Sequence, residues 1–431
     1  MLRLPMNRFL ILSVCCLALV SSSSPAQNPP AKQDGSELKF VAILTRHGVR
    51  SPGGDPSHND RYSTLPWPKW NVPPGYLTPH GYELMRLFGA YDREWLASEG
   101  LLAAAGCANA GLVTILADSD ERTRETGKAL AEGMFPGCGL EVHALPEGTH
   151  DPLFHSTEAA DPALEAAAIR GRIGGDPNNL TEAYHAQLAE LERVLGGCGH
   201  APADARFPAS LFSIPATIAA GTPKHPVEMR GPLDTASTLT ENLLLEYTGG
   251  MPAAEVGWGC VDGATLRSLM PLHIADENLK ERTPAVARIR AARLLDAILL
   301  AMEQQVSGKP VAGAPDKPGD RMLILAGHDT NIANVAGALD LDWILDGRRD
   351  DTPPGGALVF ELWRSAGGEW LVRVDYTAQT LEQMRDAQVL TLDSPPDRAP
   401  IFVPGCGRAD LSCSWQGFAA VVKNATALPA R

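Results

Sequence analysis

A histidine between two arginines is the first cluster in the chain whose residue types suggest chemistry. It lies in the segment Arg46-His47-Gly48-Val49-Arg50-Ser51-Pro52, directly after an apolar run over residues 40–44 that predicts a strand. Each guanidinium is planar, permanently charged and able to bind two oxygens at once. A neutral imidazole can attack phosphorus and form a covalent intermediate. The segment therefore predicts a phosphate site with His47 as nucleophile, although a short R-H-x-x-R string alone fits two surface arginines beside a core histidine about equally well.

The spacing of the two arginines suggests how both could reach one ligand. Arg46 and Arg50 are four residues apart, so one helical turn after the strand would place them on the same side. Gly48 would let the backbone approach the ligand closely, and Pro52 would limit how far such a helix continues. Open α/β sheets bind ligands at the carboxyl ends of their strands, which favours the functional interpretation.

A second predicted strand end places a histidine beside a carboxyl group. The apolar run over residues 322–326 is followed by Gly327-His328-Asp329-Thr330-Asn331, and a helix pattern then extends to residue 339. Asp329 could give a proton to a leaving alkoxide as a general acid, and His328 could donate to a phosphate oxygen. The alternative is that Asp329 or Asn331 only caps the helix, but capping alone does not require the histidine.

A third predicted strand, over residues 112–117, leads into the charged segment Asp118-Ser119-Asp120-Glu121-Arg122-Thr123-Arg124. Its acidic residues suit the N-terminus of a helix. Arg122 or Arg124 could supply a third guanidinium to the phosphate site. Taken alone, the segment fits an ordinary charged first turn of a helix better.

Together these motifs resemble those of the histidine acid phosphatases, branch 2 of the histidine phosphatase superfamily. Within that family the chain looks most similar to the bacterial periplasmic phytases and glucose-1-phosphatases. Three further segments support the resemblance, namely Gly75-Tyr76-Leu77-Thr78-Pro79-His80-Gly81, Asp151-Pro152-Leu153-Phe154 and Pro353-Pro354-Gly355-Gly356. The resemblance covers about residues 38–418, and two catalytic motifs so far apart and in the right order make it specific.

The resemblance implies a role for each matching residue. His47 matches the nucleophile that becomes phosphohistidine, and Asp329 matches the proton donor to the leaving group. The residues that would bind the phosphate are Arg46, Arg50, Arg122 and His328. On a weaker local match, the residues that would contact the substrate are Thr330, Glu241 and His273.

The implied reaction is hydrolysis of phosphomonoesters without a cofactor or a metal ion. The charge of a transferring phosphoryl group spreads over three oxygens, so fixed positive groups can provide most of the stabilisation. The sequence has no H-E-x-x-H, no paired Cys-x-x-Cys, no Walker-type glycine loop and no G-x-S-x-G elbow. Because Asp329 must be protonated in the first step, and an aspartate ordinarily has a pKa of about 3.9, we expect an optimum below neutral pH.

The substrate is less narrowly indicated than the reaction. Similar phytases have a lysine a few residues after the arginine–histidine motif, whereas residues 53–58 contain none and the next lysine here is Lys69. Two interpretations remain, a phytase-like enzyme acting on inositol phosphates and a broad-specificity acid or sugar-phosphate phosphatase such as a glucose-1-phosphatase. A non-catalytic phosphate-ester binding protein is a third, which the pairing of His47 with Asp329 disfavours.

The first 26 residues predict a signal peptide. Arg3 and Arg8 precede an apolar stretch over residues 9–20, and small residues suited to cleavage follow, up to Ala26. The apolar stretch is too short to span a bilayer. We therefore expect a periplasmic or secreted protein in which residues 27–37 are a disordered lead-in.

The cysteines fit an exported chain. Two of the eight lie in the predicted signal peptide. The six that remain are even in number, which suggests disulfides in an oxidising compartment. The resemblance implies the pairs Cys107–Cys138 and Cys406–Cys413. Cys198–Cys260 then follows by exclusion, with two free buried thiols as the alternative.

The formal charge of −14 limits the possible partners. An acidic body disfavours binding to nucleic acid and to anionic membranes. We expect a small-molecule phosphomonoester as the ligand and a monomeric protein. The same charge would repel a polyanionic substrate at neutral pH, and acidic conditions would reduce that repulsion as carboxylates become protonated.

The elements that must position these motifs predict an α/β fold, with a mixed sheet flanked by helices on both faces and an inserted smaller α-helical lobe. The predicted strands cover residues 38–45, 111–117, 141–145, 322–326, 357–363 and 370–377. The clearest predicted helices cover residues 78–102, 180–195, 234–247 and 283–305. Because 431 residues exceed what one hydrophobic core usually covers, we divide the chain into an α/β phosphatase domain and the helical lobe. The first comprises residues 38–155 and 281–431, and the second comprises residues 156–280, with the site in the cleft between them.

Overall fold

The computed structural model describes residues 35–54, 56–157, 160–199, 207–222 and 225–427. The predicted signal peptide, residues 1–26, lies outside them, and so do residues 27–34 of the predicted lead-in. The last residue of that lead-in, Glu37, already begins the first strand. Among the helices in the described ranges, none is long and apolar enough to cross a membrane.

A mixed sheet lies at the centre of the molecule, as the sequence predicts. The strands in chain order are β1 (Glu37–Arg46), β2 (Val113–Ala117), β3 (Val142–Ala144), β4 (Thr217–Ala220), β5 (Val227–Arg230), β6 (Met322–Gly327), β7 (Ile344–Leu345), β8 (Arg348–Arg349), β9 (Ala357–Arg364), β10 (Trp370–Ala378), β11 (Asp397–Ile401) and β12 (Cys413–Ser414). The central sheet has the order β11-β10-β9-β1-β6-β2-β3, and β12 pairs with β10. Strands β1, β6, β2 and β3 are parallel, whereas β9, β10 and β11 are antiparallel to their neighbours.

Helices cover both faces of this sheet, which confirms the predicted fold class. The helices in chain order are α1 (Pro79–Ser98), α2 (Glu121–Met134), α3 (Pro162–Arg172), α4 (Asn178–Ala183), α5 (His185–Leu195), α6 (Pro232–Thr248), α7 (Gly263–Lys280), α8 (Pro284–Ser307), α9 (Asp329–Leu339), α10 (Leu381–Arg385) and α11 (Trp415–Thr426). Helices α8, α9 and α11 pack on one face, and α1 and α2 pack on the other.

The alternation of side chains along β1 shows how the sheet is held between these layers. Phe40, Ala42 and Leu44 point into the core beneath α8 and α9. Val41 and Ile43 point into the core beneath α1 and α2. A strand that is apolar on both faces is typical of the buried interior of an α/β sheet, so β1 and the residues that follow it are fixed rigidly in the middle of the molecule.

A third hydrophobic cluster lies among helices α3 to α7, where the sequence predicts the helical lobe. The predicted helix over residues 180–195 is broken at Tyr184, whose backbone dihedrals are φ −108° and ψ 19°, so that it forms α4 and α5. A two-stranded hairpin of β4 and β5 also lies in this block, and the sequence patterns missed it. The division of the chain into two domains at residues 156 and 280 stays a prediction.

Three disulfides link the cysteine pairs expected from the sequence. They join Cys107 to Cys138, Cys198 to Cys260 and Cys406 to Cys413. The pair that followed only by exclusion connects the end of α5 to the turn before α7. This confirms the disulfides over the alternative of two free thiols.

The buried carboxyl group of Glu246 should make a contribution to folding stability that decreases as pH rises. Its Oε2 accepts a hydrogen bond from the Gly257 N–H at 2.8 Å, and burial raises the pKa of Glu246 to about 8. The folded protein therefore retains a proton that the unfolded chain releases above its ordinary pKa of 4.5. Between these two pH values the group lowers the free energy of unfolding by up to about 1.4 kcal/mol per pH unit.

Glu246→Gln keeps the acceptor and the shape but cannot ionise. We expect its free energy of unfolding, measured by urea denaturation, to fall less steeply than that of the wild type from pH 5 to pH 8. Glu255→Gln, at an exposed position, is the matched control and should reproduce the wild-type slope. Equal slopes for all three proteins would contradict a buried, protonated Glu246.

Candidate active site

Three strand ends meet at one edge of the central sheet. Strand β1 lies beside β6 with Arg46 opposite Gly327, and β2 lies on the other side of β6 with Ala117 opposite Ala326. The residues that follow these strands are His47, Asp118 and His328, and the parallel register places them side by side. The backbone N–H of His47 donates to the Gly327 carbonyl at 2.9 Å, which extends the ladder into the site.

His47 is buried with one ring nitrogen engaged and the other available. The side chain is almost fully enclosed, and its Nδ1 lies 2.8 Å from the Gly48 carbonyl oxygen. Since a carbonyl can only accept, Nδ1 carries the proton and Nε2 keeps its lone pair. Burial and the three neighbouring arginines hold the pKa of His47 well below its ordinary value. The ring therefore stays neutral in acid, in the form that can attack phosphorus.

The guanidiniums of Arg46 and Arg50 converge on one carboxylate oxygen. Arg46 is fully buried, and its Nη1 donates to the Thr352 carbonyl at 2.6 Å. Its Nη2 donates to Glu241 Oε1 at 2.6 Å, and Arg50 Nη2 donates to the same oxygen at 2.9 Å. Glu241 projects from α6, so the helical block contributes directly to the site. A phosphate at this position would compete with Glu241 for both arginines.

The two arginines do not reach this position through a helical turn, so that expectation is wrong. Arg50 forms an antiparallel bridge with Leu77. The N–H of Ser51 donates to the Tyr76 carbonyl at 3.0 Å, and the N–H of Thr78 donates to the Val49 carbonyl at 2.9 Å. The backbone groups that a helix would pair internally are used by the segment before α1, which keeps this loop extended.

The absence of a side chain at Gly48 allows close packing against the backbone at Gly81, rather than close approach of a ligand. A Cβ atom on Gly48 would lie 2.8 Å from the Gly81 carbonyl oxygen, and one on Gly81 would lie 2.1 Å from the Val49 carbonyl oxygen. The start of α1 therefore packs directly on the loop that holds His47. This close packing explains the two glycines physically and fixes the loop from behind.

Arg122 supplies the third guanidinium, from the first turn of α2. Its Nη2 lies 2.6 Å from Asp120 Oδ2 and 3.3 Å from His328 Nδ1. Its charge is one of those that lower the pKa of His47. Of the two candidates in this segment, Arg122 is therefore the one that contributes to the field around the nucleophile.

Asp329 faces Arg46 at the start of α9. Its Oδ2 lies 2.8 Å from Arg46 Nη2, and its Oδ1 accepts from the Thr330 N–H at 2.8 Å. Burial opposes ionisation of Asp329, but the neighbouring cationic groups, above all Arg46, outweigh it and hold the pKa below its ordinary value. Asn331 Oδ1 accepts from the His328 N–H at 2.9 Å. Asn331 thus supports the helix start, and Asp329 is oriented toward Arg46.

His328 is held by a carboxylate that sequence reasoning did not assign to the site. His328 Nε2 lies 2.6 Å from Asp118 Oδ2, and His155 Nε2 lies 2.7 Å from the same oxygen. Both residues were missed as site residues. The signal for Asp118 was present, because it follows β2 directly, as His47 follows β1. His155 follows the matched segment 151–154, and no local pattern distinguishes it from a surface histidine.

Thr330, Glu241 and His273, the three residues with weaker sequence support, differ in how directly they contact the arginines and Asp329. Glu241 contacts both arginines, and Thr330 follows Asp329 on α9. His273 is buried on α7, with Nδ1 3.1 Å from the Ser237 hydroxyl, and its charge acts on Glu241. A role for each in binding substrate stays a prediction.

One group in the described part of the chain offers three potential metal ligands close together. Asp118, His155 and His328 each have a ligand atom within 4.8 Å of the other two. The contacts to Asp118 are 2.6 and 2.7 Å, whereas the ligands of a tetrahedral zinc ion lie about 3.3 Å apart. This geometry fits hydrogen bonds in which two imidazoles donate to one carboxylate better than it fits coordination of an ion.

Comparisons with known proteins identify a matching family and similar sequences and structures. The sequence profile of the histidine phosphatase superfamily (branch 2) matches residues 37–194 and 235–377. Phytase AppA of Escherichia coli is 38% identical over 95% of this chain and 96% of its own length. Glucose-1-phosphatase of Salmonella typhimurium is 31% identical over 92% of this chain and 94% of its own length. Among solved structures, Hafnia alvei phytase in complex with myo-inositol hexakis sulphate has 36% sequence identity to this chain. The match covers 92% of this chain and 100% of the phytase chain, with a TM-score of 0.81.

The contacts of Glu241 predict how this carboxylate affects oxyanion binding. In Glu241→Gln an amide oxygen can still accept from Arg46 and Arg50, but the competing negative charge is removed. We expect inorganic phosphate to bind about 3–10-fold more tightly at pH 5, which corresponds to about 1 kcal/mol. Isothermal titration calorimetry measures this change. Glu228→Gln, whose carboxylate pairs with the exposed Arg230, is the control, and weaker phosphate binding in Glu241→Gln would contradict competition.

Proposed function

The chain belongs to branch 2 of the histidine phosphatase superfamily, and from that premise we propose that it is an acid phosphatase that hydrolyses phosphomonoesters through a phosphohistidine at His47. The observation that supports this most directly is the position of a neutral, buried His47 among three arginines, with Asp329 at the start of α9, directly after the neighbouring strand β6. A non-catalytic binding protein would not need both a nucleophile and a proton donor. The reaction class therefore follows from the combination of these side chains.

The proposed reaction has two steps. In the first, the Nε2 lone pair of His47 attacks phosphorus, the ester P–O bond breaks, and the leaving oxygen takes a proton from Asp329. In the second, water attacks the phosphohistidine, the P–N bond breaks, and the water proton passes to the Asp329 carboxylate. Arg46, Arg50 and Arg122 would bind the three phosphoryl oxygens, whose charge they stabilise in both transition states.

The lowered pKa of Asp329 changes where the first proton comes from. The ion pair with Arg46 keeps Asp329 ionised in acid, so the expectation that free solution protonates it directly is too simple. A phosphomonoester retains one proton below its second pKa of about 6. We propose that the bound monoanion delivers that proton to Asp329 as its negative charge engages the arginines. The acid optimum then depends on the protonation of the substrate.

Inositol phosphates are the first proposed substrate class. The supporting observation is similarity over nearly the whole chain to two proteins named phytases. The missing lysine after the first motif weakens a second phosphate site there. Gly53 and Gly54 are exposed in that loop, and the guanidinium of Arg61 lies over the Tyr62 ring at 4.5 Å, which directs this nearby cation onto an aromatic side chain.

A sugar phosphate is the second candidate, and carboxyl groups of α7 favour it. Glu277 and Glu281 interact electrostatically with Asp329, and burial together with that interaction raises the pKa of both. Glu277 has a buried oxygen without a hydrogen-bond partner. Because Asp329 would protonate the leaving group in the proposed reaction, these carboxyls would lie on the leaving-group side. Once ionised, they would repel a leaving group that carries further phosphates but would accept a sugar hydroxyl.

We also propose that the protein is exported, to the periplasm or outside the cell, and acts as a monomer. The three disulfides support an oxidising compartment. The proposed ligand is a small molecule, and neither nucleic acid nor a membrane is a proposed partner.

Substitution of the nucleophile and of the acid tests the proposed function. His47→Ala should lose at least about 10³-fold in kcat on every ester. Asp329→Asn should lose about 10²–10⁴-fold on glucose 1-phosphate, whose alkoxide needs a proton, and much less in the first step with p-nitrophenyl phosphate. Initial rates on phytate, glucose 1-phosphate and p-nitrophenyl phosphate from pH 3 to pH 8, with and without chelator, measure this.

Trapping with radiolabelled ester separates the two variants. Label should accumulate on Asp329→Asn and be absent from His47→Ala, with the exposed His143→Ala as control. Activity in His47→Ala equal to that of the wild type would disprove the mechanism. Loss of activity with chelator would disprove metal-free catalysis.

Glu277 allows the two substrate classes to be distinguished. We expect Glu277→Gln to raise kcat/KM for phytate relative to glucose 1-phosphate, because the variant cannot place a negative charge beside Asp329. The raised pKa of Glu277 keeps the wild-type carboxyl neutral in acid, so the effect should be absent at pH 4 and grow as pH rises. Steady-state kinetics on both substrates give the ratio, with Glu255→Gln as control. A ratio unchanged at every pH would exclude Glu277 from substrate selection.

A further inference from the structure

Two histidines donate to one oxygen of Asp118, and only one of them faces the phosphate-binding groups. His155 Nε2 lies 2.7 Å and His328 Nε2 lies 2.6 Å from Asp118 Oδ2. The Asp118 side chain is 0% exposed, the His328 side chain is 6% exposed, and the His155 side chain is 40% exposed. The network therefore leads from solvent at His155, through a buried carboxylate, to the imidazole beside Arg122.

The hydrogen-bond partners of His155 and His328 determine which ring nitrogen of each carries the proton. An ionised carboxylate can only accept, so Nε2 of both histidines carries a proton. The other nitrogen of His328, Nδ1, lies 3.3 Å from Arg122 Nη2, and a guanidinium can only donate. Neutral His328 therefore accepts from Arg122. It can donate to a phosphate oxygen from Nδ1 only after it takes up a second proton.

Charges around the network favour protonation of His155 before His328. The hydrogen bond to Asp118 raises the pKa of His155, and the charges of Asp118, Asp120 and Asp151 add to it against partial burial. Burial lowers the pKa of His328, and the hydrogen bond to Asp118 offsets this only in part. A further titratable neighbour of His155 is His150, whose ring centroid lies 6.0 Å away. The other charged and titratable groups that face His328 are Arg122, Asp329, Asp120, whose Oδ2 lies 3.8 Å from Nε2, and His47, whose ring centroid lies 5.6 Å away. The carboxylate itself stays ionised, because the two histidines lower the pKa of Asp118 despite its burial.

We propose that His155 is a positioning residue that competes with His328 for the charge of Asp118 and thereby sets the pH below which His328 can donate to phosphate. As pH falls, the first proton enters the exposed His155 and neutralises the pair. Asp118 then stabilises a charged His328 less well, so the second proton enters only at lower pH. His155 would in this way confine tight phosphate binding to acid conditions. The inference rests on the proposed phosphatase function only where turnover is the readout.

A purely structural role for His155 would have different consequences. The segment around it is already held by its own hydrogen bonds, from the His155 N–H to the Asp151 carbonyl at 2.9 Å and from the Leu153 N–H to Asp151 Oδ1 at 2.9 Å. If His155 only anchored this segment, any substitution would disturb His328 in the same sense. Competition for charge instead predicts that a neutral replacement raises the pH at which His328 takes up its proton, whereas a permanently charged replacement leaves it near the wild-type value.

Titration of the histidine rings by NMR provides the test. The mature protein is labelled with ¹⁵N-histidine, and His328 is assigned by comparison with His328→Gln. In His155→Asn the competing charge is absent, and we expect the midpoint of His328 to rise by about half to one pH unit. This is the size expected for a partly screened unit charge at the observed ring separation of 5.4 Å. In His155→Arg the charge is permanent, as it already is in the wild type at the pH where His328 takes up its proton, so we expect the midpoint to stay near that of the wild type. His143→Asn, exposed on β3, is the control.

The dissociation constant of inorganic phosphate, measured from pH 4 to pH 8, should follow the same order. The pH above which binding weakens should move up in His155→Asn and stay near the wild-type value in His155→Arg, and in His155→Asn KM should change more than kcat. His155→Gln, which keeps a donor without a charge, should behave as His155→Asn does. If the neutral variants do not raise the His328 midpoint, or if His155→Arg raises it as much as they do, His155 does not act through charge and the proposal is wrong. Because the ring titration does not depend on turnover, failure of the phosphatase assignment would leave this result interpretable.

Discussion

The fully buried guanidinium of Arg46 is the interaction on which the rest of the site depends. A buried charge without partners is strongly destabilising, so its neighbours must be arranged around it. Glu241 reaches it from α6, Asp329 reaches it from α9, and the Thr352 carbonyl reaches it from the loop before β9. One side chain thus connects the helical block, the sheet edge and the loop that closes the site. Because Arg46 needs partners, Glu241 and Asp329 occupy positions beside the arginines that a bound phosphate would otherwise contact.

This concentration of positive charge also determines the protonation states of the proposed catalytic pair, His47 and Asp329. The arginines proposed to bind phosphate disfavour a proton on His47 and favour the ionised form of Asp329. A nucleophile that stays neutral in acid and a carboxylate ready to receive a proton are both consequences of one electrostatic field. Burial favours the neutral form of both groups, so it supports the neutral imidazole of His47 and opposes the ionised carboxyl of Asp329. The same arginines therefore account for the protonation states of both His47 and Asp329.

A second layer of carboxyls surrounds this positive centre. Asp118 lies behind His328 and stays ionised in acid, so that the protonation of its two histidines changes there with pH. Glu277 and Glu281 interact with Asp329 and have raised pKa values, so that they ionise themselves as pH rises. The overall negative charge of the chain also grows as pH rises. Acid conditions thus remove repulsion from the substrate at several positions at once, while the permanently charged arginines are unaffected.

Local patterns in the sequence determined the elements and the principal reactive residues. Continuous apolar runs defined β1 and β6, and the helix patterns predicted from residues 78 and 283 begin at the N-caps of α1 and α8, because hydrophobic patterns and helix starts involve near neighbours in the chain. The strand-end positions of His47 and His328 followed from those elements. Tertiary structure alone decided the rest. The pairing of residues 49–51 with the segment before α1 overrode the expected helical turn, and the break at Tyr184 was not visible in the apolar pattern. Asp118 meets His155 and His328 only because the parallel register of β2 and β6 and the loop after β3 bring chain-distant side chains to one oxygen, and such contacts leave no signal in local spacing.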